Sequence, residues 1–309
     1  MSFFGAFTDD CLSIRRQSPL ILNITNYVAM SLSANSLLAI GASPLMSAEP
    51  LETGGLAARS AALVINIGCL EERSIVAMRT AAAAARAAGR PWVLDPAGAG
   101  ASTLRTDIAL ELLRLRPTVL RANAGEVISL AEAAFRGTAF RATRDNLLPG
   151  SPTPLTEASR GVDSIASSED ALDSAKALAR EFGAVVSVSG AIDYITDGEK
   201  VIGLQGGSPL MPRVSAMGCT ASALTGAFIA VDGDPLQAAA GAMALMKAAG
   251  SAAAAALGPG ESVGTLPARF LDYLATFDPS TAMADKNALQ YFEAGDRKSI
   301  KSLNDNALR

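Results

Sequence analysis

Histidine is absent from all 309 residues of the chain. That removes Ser-His-Asp and Cys-His catalysis, H-E-x-x-H zinc sites and every imidazole base. Proton transfer therefore falls to Asp, Glu, Cys, Lys, Tyr or a substrate group. The three cysteines, Cys11, Cys69 and Cys219, stand far apart. An odd, sparse set offers neither a disulfide framework nor a C-x-x-C metal knuckle, and it suits a reducing cytoplasm. Aromatic residues make up only 5%, so a core must be built from Ala, Leu, Val and Ile. No basic stripe is present and the net charge is −4, which argues against a nucleic-acid partner. No G-x-x-x-x-G-K-[ST] occurs, so the chain is not a P-loop NTPase. The opening "MSFFGAFTDDCLSIRR" lacks the sustained apolar stretch of a secretory signal. Residues 236–258 have the length of a membrane span, but they are mostly alanine with Lys247 in the middle. They read as a buried helix of a soluble protein rather than as a membrane anchor.

What is present alternates. Half of the residues are hydrophobic, enough for a substantial α/β core. Short apolar runs at 19–24, 43–46, 62–68, 91–95, 118–123 and 184–190 read as strands. Helical periodicity follows at 27–41, 71–89, 103–115, 124–135 and 168–183. This order predicts a largely parallel sheet covered by helices on both faces. "DYITDGEKVIGL" (193–204) carries Asp197-Gly198 between two β-like runs and predicts a short antiparallel edge hairpin. Helices are expected again at 219–231, 235–257 and about 264–275. Residues 1–276 form one domain in this reading. Residues 136–160, rich in Pro, Thr, Arg and Gly, read as a surface insertion, and 277–309 as a polar, partly disordered tail with one short helix.

Ligands of doubly wound sheets bind beyond the carboxyl ends of the strands. Polar residues gather there: Asn23, Thr25 and Asn26; Gly68 and Cys69; Asp95 and "AGAGAS"; Arg121, Asn123 and Glu126; Ser189 and Gly190. Asp95 and Glu126 could share one pocket and suit Mg²⁺, which takes one or two carboxylates with waters and substrate phosphates. Taken alone, Asp95 as a turn cap and Glu126 as a solvated first-turn carboxylate explain them more simply. "SAMGCTASAL" (215–224) runs from small residues into a helix. It could be an anion-binding nest with Cys219 in the helix dipole, and on its own it reads more simply as a helix carrying a small buried cysteine.

Together these segments resemble the hydroxyethylthiazole kinase family of the ribokinase-like fold. The segments that carry the resemblance are "SPLILNITNYVAMSLSANSLLAIGASPLMSA", "ALVINIG", "PWVLDPAGAGAS", "LRANAGEV", "RGVDS", "VSGAIDYITDG", "GGSPLM" and "MGCTASAL", in that order over roughly 17–275. The resemblance implies ATP- and Mg²⁺-dependent phosphorylation of the primary alcohol of 4-methyl-5-(2-hydroxyethyl)thiazole in thiamine salvage. It also implies a cytoplasmic homotrimer with the thiazole site at the subunit boundary. Carried over by position, Asn26, Val28, Met46, Gly68 and Ala216 would contact the thiazole. Arg121, Asn123, Ser189 and Gly218 would contact ATP, Asp95 and Glu126 would serve Mg²⁺, and Cys219 would be the catalytic base. A kinase of another small alcohol such as hydroxymethylpyrimidine, and a non-catalytic ligand-binding relative, are the competing readings. The chain departs from the family's Gly-Thr-Gly-Cys run at Ala216, which lacks glycine's freedom at positive φ. It departs again at Met217, whose bulk is expected near the γ-phosphate.

Overall fold

The computed structural model describes residues 2–136, 159–160, 163–164, 166–281 and 289–293. Its elements are α1 (Phe3–Gln17), β1 (Leu20–Ile24), α2 (Met30–Ile40), β2 (Ser43–Met46), α3 (Pro50–Arg59), β3 (Ala62–Asn66) and α4 (Glu72–Ala87). There follow β4 (Trp92–Asp95), α5 (Thr103–Leu113), β5 (Val119–Asn123), α6 (Ala124–Ala134), β6 (Ser159–Arg160), β7 (Asp163–Ser164) and α7 (Leu172–Phe182). The last group is β8 (Val185–Ser189), β9 (Ile192–Thr196), β10 (Val201–Gly206), α8 (Met217–Ile229), α9 (Pro235–Ala255), α10 (Leu266–Thr276) and β11 (Leu289–Glu293).

Nine strands form one sheet in the order β11-β10-β9-β8-β5-β4-β3-β1-β2, and β6 and β7 pair separately. Pairing is parallel from β2 to β8 and antiparallel from β8 through β9 and β10 to β11. The expected parallel sheet with an antiparallel edge is thus what forms. Alternate residues of each strand feed opposite cores, as a period of two requires. Ile21, Val64, Val93, Val119 and Val185 pack with α1, α2, α8, α9 and α10. Leu22, Leu63, Ile65, Leu94, Leu120 and Val186 pack with α4, α5, α6 and α7.

Helix ends follow local chemistry. Asp234 caps α9 by accepting from the Leu236 and Gln237 N–H groups, with Pro235 in its first turn. Helix α9 is long and apolar enough to span a bilayer. Most of its residues are buried inside the protein, and Lys247 has its own partners, described below.

Three elements have no counterpart in the sequence reading. Residues 3–17 form a helix, because Phe3, Phe7, Cys11 and Ile14 share one buried face. A ten-residue helix, α3, fills 50–59 despite Gly54 and Gly55, with Glu49 capping its start. Within the tail, 289–293 is an edge strand rather than a helix. Its alternation is readable only with partners in place. Tyr291 stacks on Phe3 at 4.2 Å, while Phe292 covers Gly203 on the opposite face, where a Cβ would collide with its ring. The insertion expected at 136–160 lies almost wholly outside the described residues.

Helix α8 crosses the sheet at close range through Gly226. A Cβ there would lie 2.5 Å from Val64 Cγ2 and 3.2 Å from Ile21 Cγ2, both side chains of the sheet. Overpacking such a contact costs about 1–3 kcal/mol. Gly226→Val is therefore expected to lower thermal stability by that order and to reduce turnover by displacing the helix start; melting curves and steady-state rates check both.

Candidate active site

The start of α8 sits beyond the carboxyl ends of β3, β4 and β5. Cys219, in its first turn, is partly buried. Its sulfur accepts hydrogen bonds from Asn26 Nδ2 and Asn66 Nδ2, each at 3.2 Å. Asn26 Nδ2 also donates to Asn66 Oδ1 at 2.9 Å, and Asn66 Oδ1 accepts the Gly68 N–H at 2.9 Å. Burial and the nearby Asp95 charge push the Cys219 thiol up to about 11, while Asn26, Arg121 and Asn66 pull the other way. Desolvation outweighs the pull, so the free protein holds a thiol at neutral pH.

Asp95, the last residue of β4, is buried and accepts Ser222 Oγ at 2.7 Å. Glu126 is buried one strand away. Its Oε1 accepts the Gly98 N–H at 2.8 Å and its Oε2 the Asn123 N–H at 2.9 Å, while Asn123 Oδ1 accepts the Glu126 N–H at 3.0 Å. This reciprocal pair is a capping box, so Glu126 does have the structural role that its position in the first turn suggested. It is not solvated, however. Burial, reinforced by Asp95, pushes its carboxyl up to about 7, and burial also raises Asp95. A capping box needs no second buried acid beside it.

The cation that faces them is Arg121 from β5, itself buried. It lowers both carboxyls and Cys219. Its Nη1 lies 2.9 Å from where a Cβ on Gly218 would stand, so a side chain there would push the guanidinium away. Its Nε is buried with no hydrogen-bond partner. An orphaned buried donor of this kind costs about 1–3 kcal/mol and marks a place where an acceptor is missing.

Ala216 caps the start of α8 at φ 72°. The left-handed region demanded by the family's glycine is therefore kept, with an alanine in it. Thr220 N–H makes the first helical bond, to Ala216 O at 2.8 Å; the earlier N–H groups belong to the orphan donors of a helix start. Met217 departs from expectation. It is buried in the core with Leu224 and Met243, so its bulk is not at the phosphate side.

The remaining expected residues are more dispersed. Ser189, at the end of β8, donates to Ala122 O at 3.4 Å and lies in register with Asn123. Met46 is half-buried at the end of β2, and Val28, 65% exposed, faces outward beside Tyr27. As apolar side chains, Val28 and Met46 stand outside the polar network. Four contributors were not singled out from sequence: Asn66, Ser222, Arg105 and Lys247. Asn66 ends β3 in register with Asp95, and the rule of polar strand ends that found Asp95 applies equally to it. Arg105 reaches back to bind Ile67 O, Ala97 O and Gly68 O at 2.9–3.0 Å, clamping the loops after β3 and β4. Lys247 binds Gly190 O and Ala191 O at 2.7 and 2.9 Å and pairs with Asp193 at 3.2 Å, fixing the loop after β8. Arg105 and Lys247 lie on helices whose sequence says nothing about those loops.

This arrangement, an acid pair, an arginine and a helix start at the strand ends of a nine-stranded sheet, defines a ribokinase-like α/β protein. A pyridoxal kinase from Staphylococcus aureus shares the fold at TM-score 0.57 and 13% identity over 89% of this chain and 99% of that one. The family model "Hydroxyethylthiazole kinase family" matches residues 12–146 and 152–280. The chain belongs to that family. It is 44% identical to a hydroxyethylthiazole kinase of Nitratidesulfovibrio vulgaris (strain DP4), over 89% of this chain and 94% of the relative. The solved hydroxyethylthiazole kinase of Pyrococcus horikoshii OT3 superposes at TM-score 0.75 with 31% identity, over 93% of this chain and 98% of that one.

An alanine in the left-handed region costs about 1–2 kcal/mol. Ala216→Gly is expected to raise stability by about 1 kcal/mol, read as an increase in melting temperature. The thiol position gives a second expectation. With Cys11 and Cys69 replaced by serine, alkylation of Cys219 by iodoacetamide is slow at pH 8 and accelerates toward pH 11, because the thiolate is the reacting form.

Proposed function

We propose that this member of the family transfers the γ-phosphoryl group of ATP to the primary alcohol of 4-methyl-5-(2-hydroxyethyl)thiazole, with Cys219 as the base. The observation that carries the reading is the convergence of Asp95, Glu126 and Arg121 on the helix start that bears Cys219. Phosphoryl transfer passes through a loose transition state, so positioning and charge neutralisation dominate.

The residues fit Mg²⁺ as a partner of the nucleotide. No group of three or more His, Cys, Asp or Glu side chains among the described residues could hold a metal alone. Two buried acids held against their own desolvation match an ion that completes its shell with waters and substrate phosphates. Asp95 and Glu126 would hold it, and when bound it supplies neutralisation of the triphosphate charge. Arg121, with its unpartnered Nε, takes a phosphate oxygen. Ser189 and Asn123, at the ends of neighbouring strands, line the nucleotide side. Gly218 leaves room for the guanidinium, and the N–H groups at 216–219 receive the moving phosphoryl group. The alcohol oxygen attacks the γ-phosphorus, the bond to ADP breaks, and the alcohol proton passes to the thiolate form of Cys219, whose own proton, present in the free protein, has first left to solvent.

Asn26, Val28, Met46, Gly68 and Ala216 form the thiazole side. Tyr27 and Val28 are two-thirds exposed and Leu51 almost wholly so. Apolar groups so placed beside a binding loop support a homotrimer in which a neighbouring subunit covers them. A cytoplasmic location accords with the three free thiols.

The direct test is ATP- and Mg²⁺-dependent phosphorylation of hydroxyethylthiazole, followed as ADP release. Cys219→Ala is expected to keep substrate binding and lose about 10²-fold in kcat, the contribution of a modest base; Cys219→Asp stays active. An inert, folded Cys219→Asp would count against the base role. The acid pair adds a pH dependence. Protonation near pH 7 removes charge from the Mg²⁺ site, so the Mg²⁺ concentration for half-maximal rate should rise as pH falls from 8 to 6.

A further inference from the structure

Asn66 is the buried final residue of β3, and its amide makes three hydrogen bonds, two at the oxygen and one at the nitrogen. Oδ1 accepts from Gly68 N–H and Asn26 Nδ2, both at 2.9 Å. Nδ2 donates to Cys219 Sγ at 3.2 Å. The orientation of this amide follows from its neighbours. Gly68 N–H can only donate, and a flipped Asn66 would set its NH₂ against that N–H. Asn26 is fixed in the same way, because its Oδ1 accepts the Ala29 N–H at 3.0 Å. Its Nδ2 must then face Asn66 and the sulfur.

The sulfur of Cys219 consequently meets two N–H donors of settled direction. The thiolate, which Cys219 becomes only once its own proton has left, has three lone pairs. Two point at the amides, and the third is left for a proton arriving from the open side. We infer that Asn66 is a positioning residue for the transfer: together with Asn26 it fixes the direction of the Cys219 sulfur. The inference rests on the reading of Cys219 as base. It explains why the loop after β3 comes so close, since a Cβ on Gly68 would fall 2.7 Å from Asn26 Nδ2 and 2.8 Å from Asn66 Oδ1.

A kinetic double-mutant cycle tests it. Asn66→Asp keeps oxygen acceptors for Gly68 and Asn26 but removes the N–H donated to sulfur. Its kcat should fall about tenfold, with KM for ATP and for the thiazole alcohol changed less than about threefold, a loss confined to the transition state. In the Cys219→Ala background the same substitution should cost nothing further. Asn66→Ser, too short to reach the sulfur, makes the same comparison if the aspartate variant does not fold. Equal losses with and without Cys219 would overturn the inference, as would an unchanged kcat in both Asn66 variants. A Cys219→Ala enzyme with full turnover would instead overturn the base reading itself, so the two failures are told apart.

Discussion

The site depends on how closely one helix can lie on the sheet. Helix α8 touches the strands through Gly226, set between Val64 and Ile21, and its first turn then arrives over the ends of β3, β4 and β5. Ser222, one turn into the helix, reaches Asp95. Gly218 admits the Arg121 guanidinium, and Cys219 meets the two asparagines. Each of these contacts is short-range, so a shift of the helix by the width of a methyl group would disturb all of them together. Small residues along α8 thus serve geometry more than helix propensity, for which glycine is a poor choice.

Burial of charge is the second constraint. Asp95, Glu126 and Arg121 stand together in a dry place, two negative against one positive. Both carboxyls are driven upward by burial and restrained by the arginine and by hydrogen bonds. A protein selected for stability alone has little use for such a cluster, because apolar replacements of similar volume are often neutral or better. Its persistence makes sense where a ligand brings the missing charges.

Much of this was legible in the residues. The strand and helix rhythm fixed the parallel sheet, and polar strand ends located Asn26, Asp95, Arg121, Asn123, Glu126 and Ser189. Ala216 reads as a loss of glycine's freedom, yet it holds the left-handed conformation at φ 72°. The rest could not be read because its meaning is supplied by distant partners. Nothing in "STLRTDIAL" reveals that Arg105 would clamp two loops. Lys247 reads as an interruption in an apolar run until Asp193 and the carbonyls of 190 and 191 are beside it. Met217 was assigned to the wrong side because a helix start turns each successive side chain by about 100°, and the sequence does not state where that turn begins. Strand β11 escaped notice because Tyr291 and Phe292 serve opposite faces and look patternless in a line.

That last strand has a bearing on how the chain comes into being. β11 completes the far edge of the sheet, and Tyr291 rests against Phe3 of α1. Helix α1 therefore gains this aromatic neighbour only from a segment made long after it. Until then β10 presents bare backbone groups to its surroundings, an edge open to any passing strand. The cover over β10 is thus supplied from far along the chain, and the same segment ties that edge of the sheet to α1.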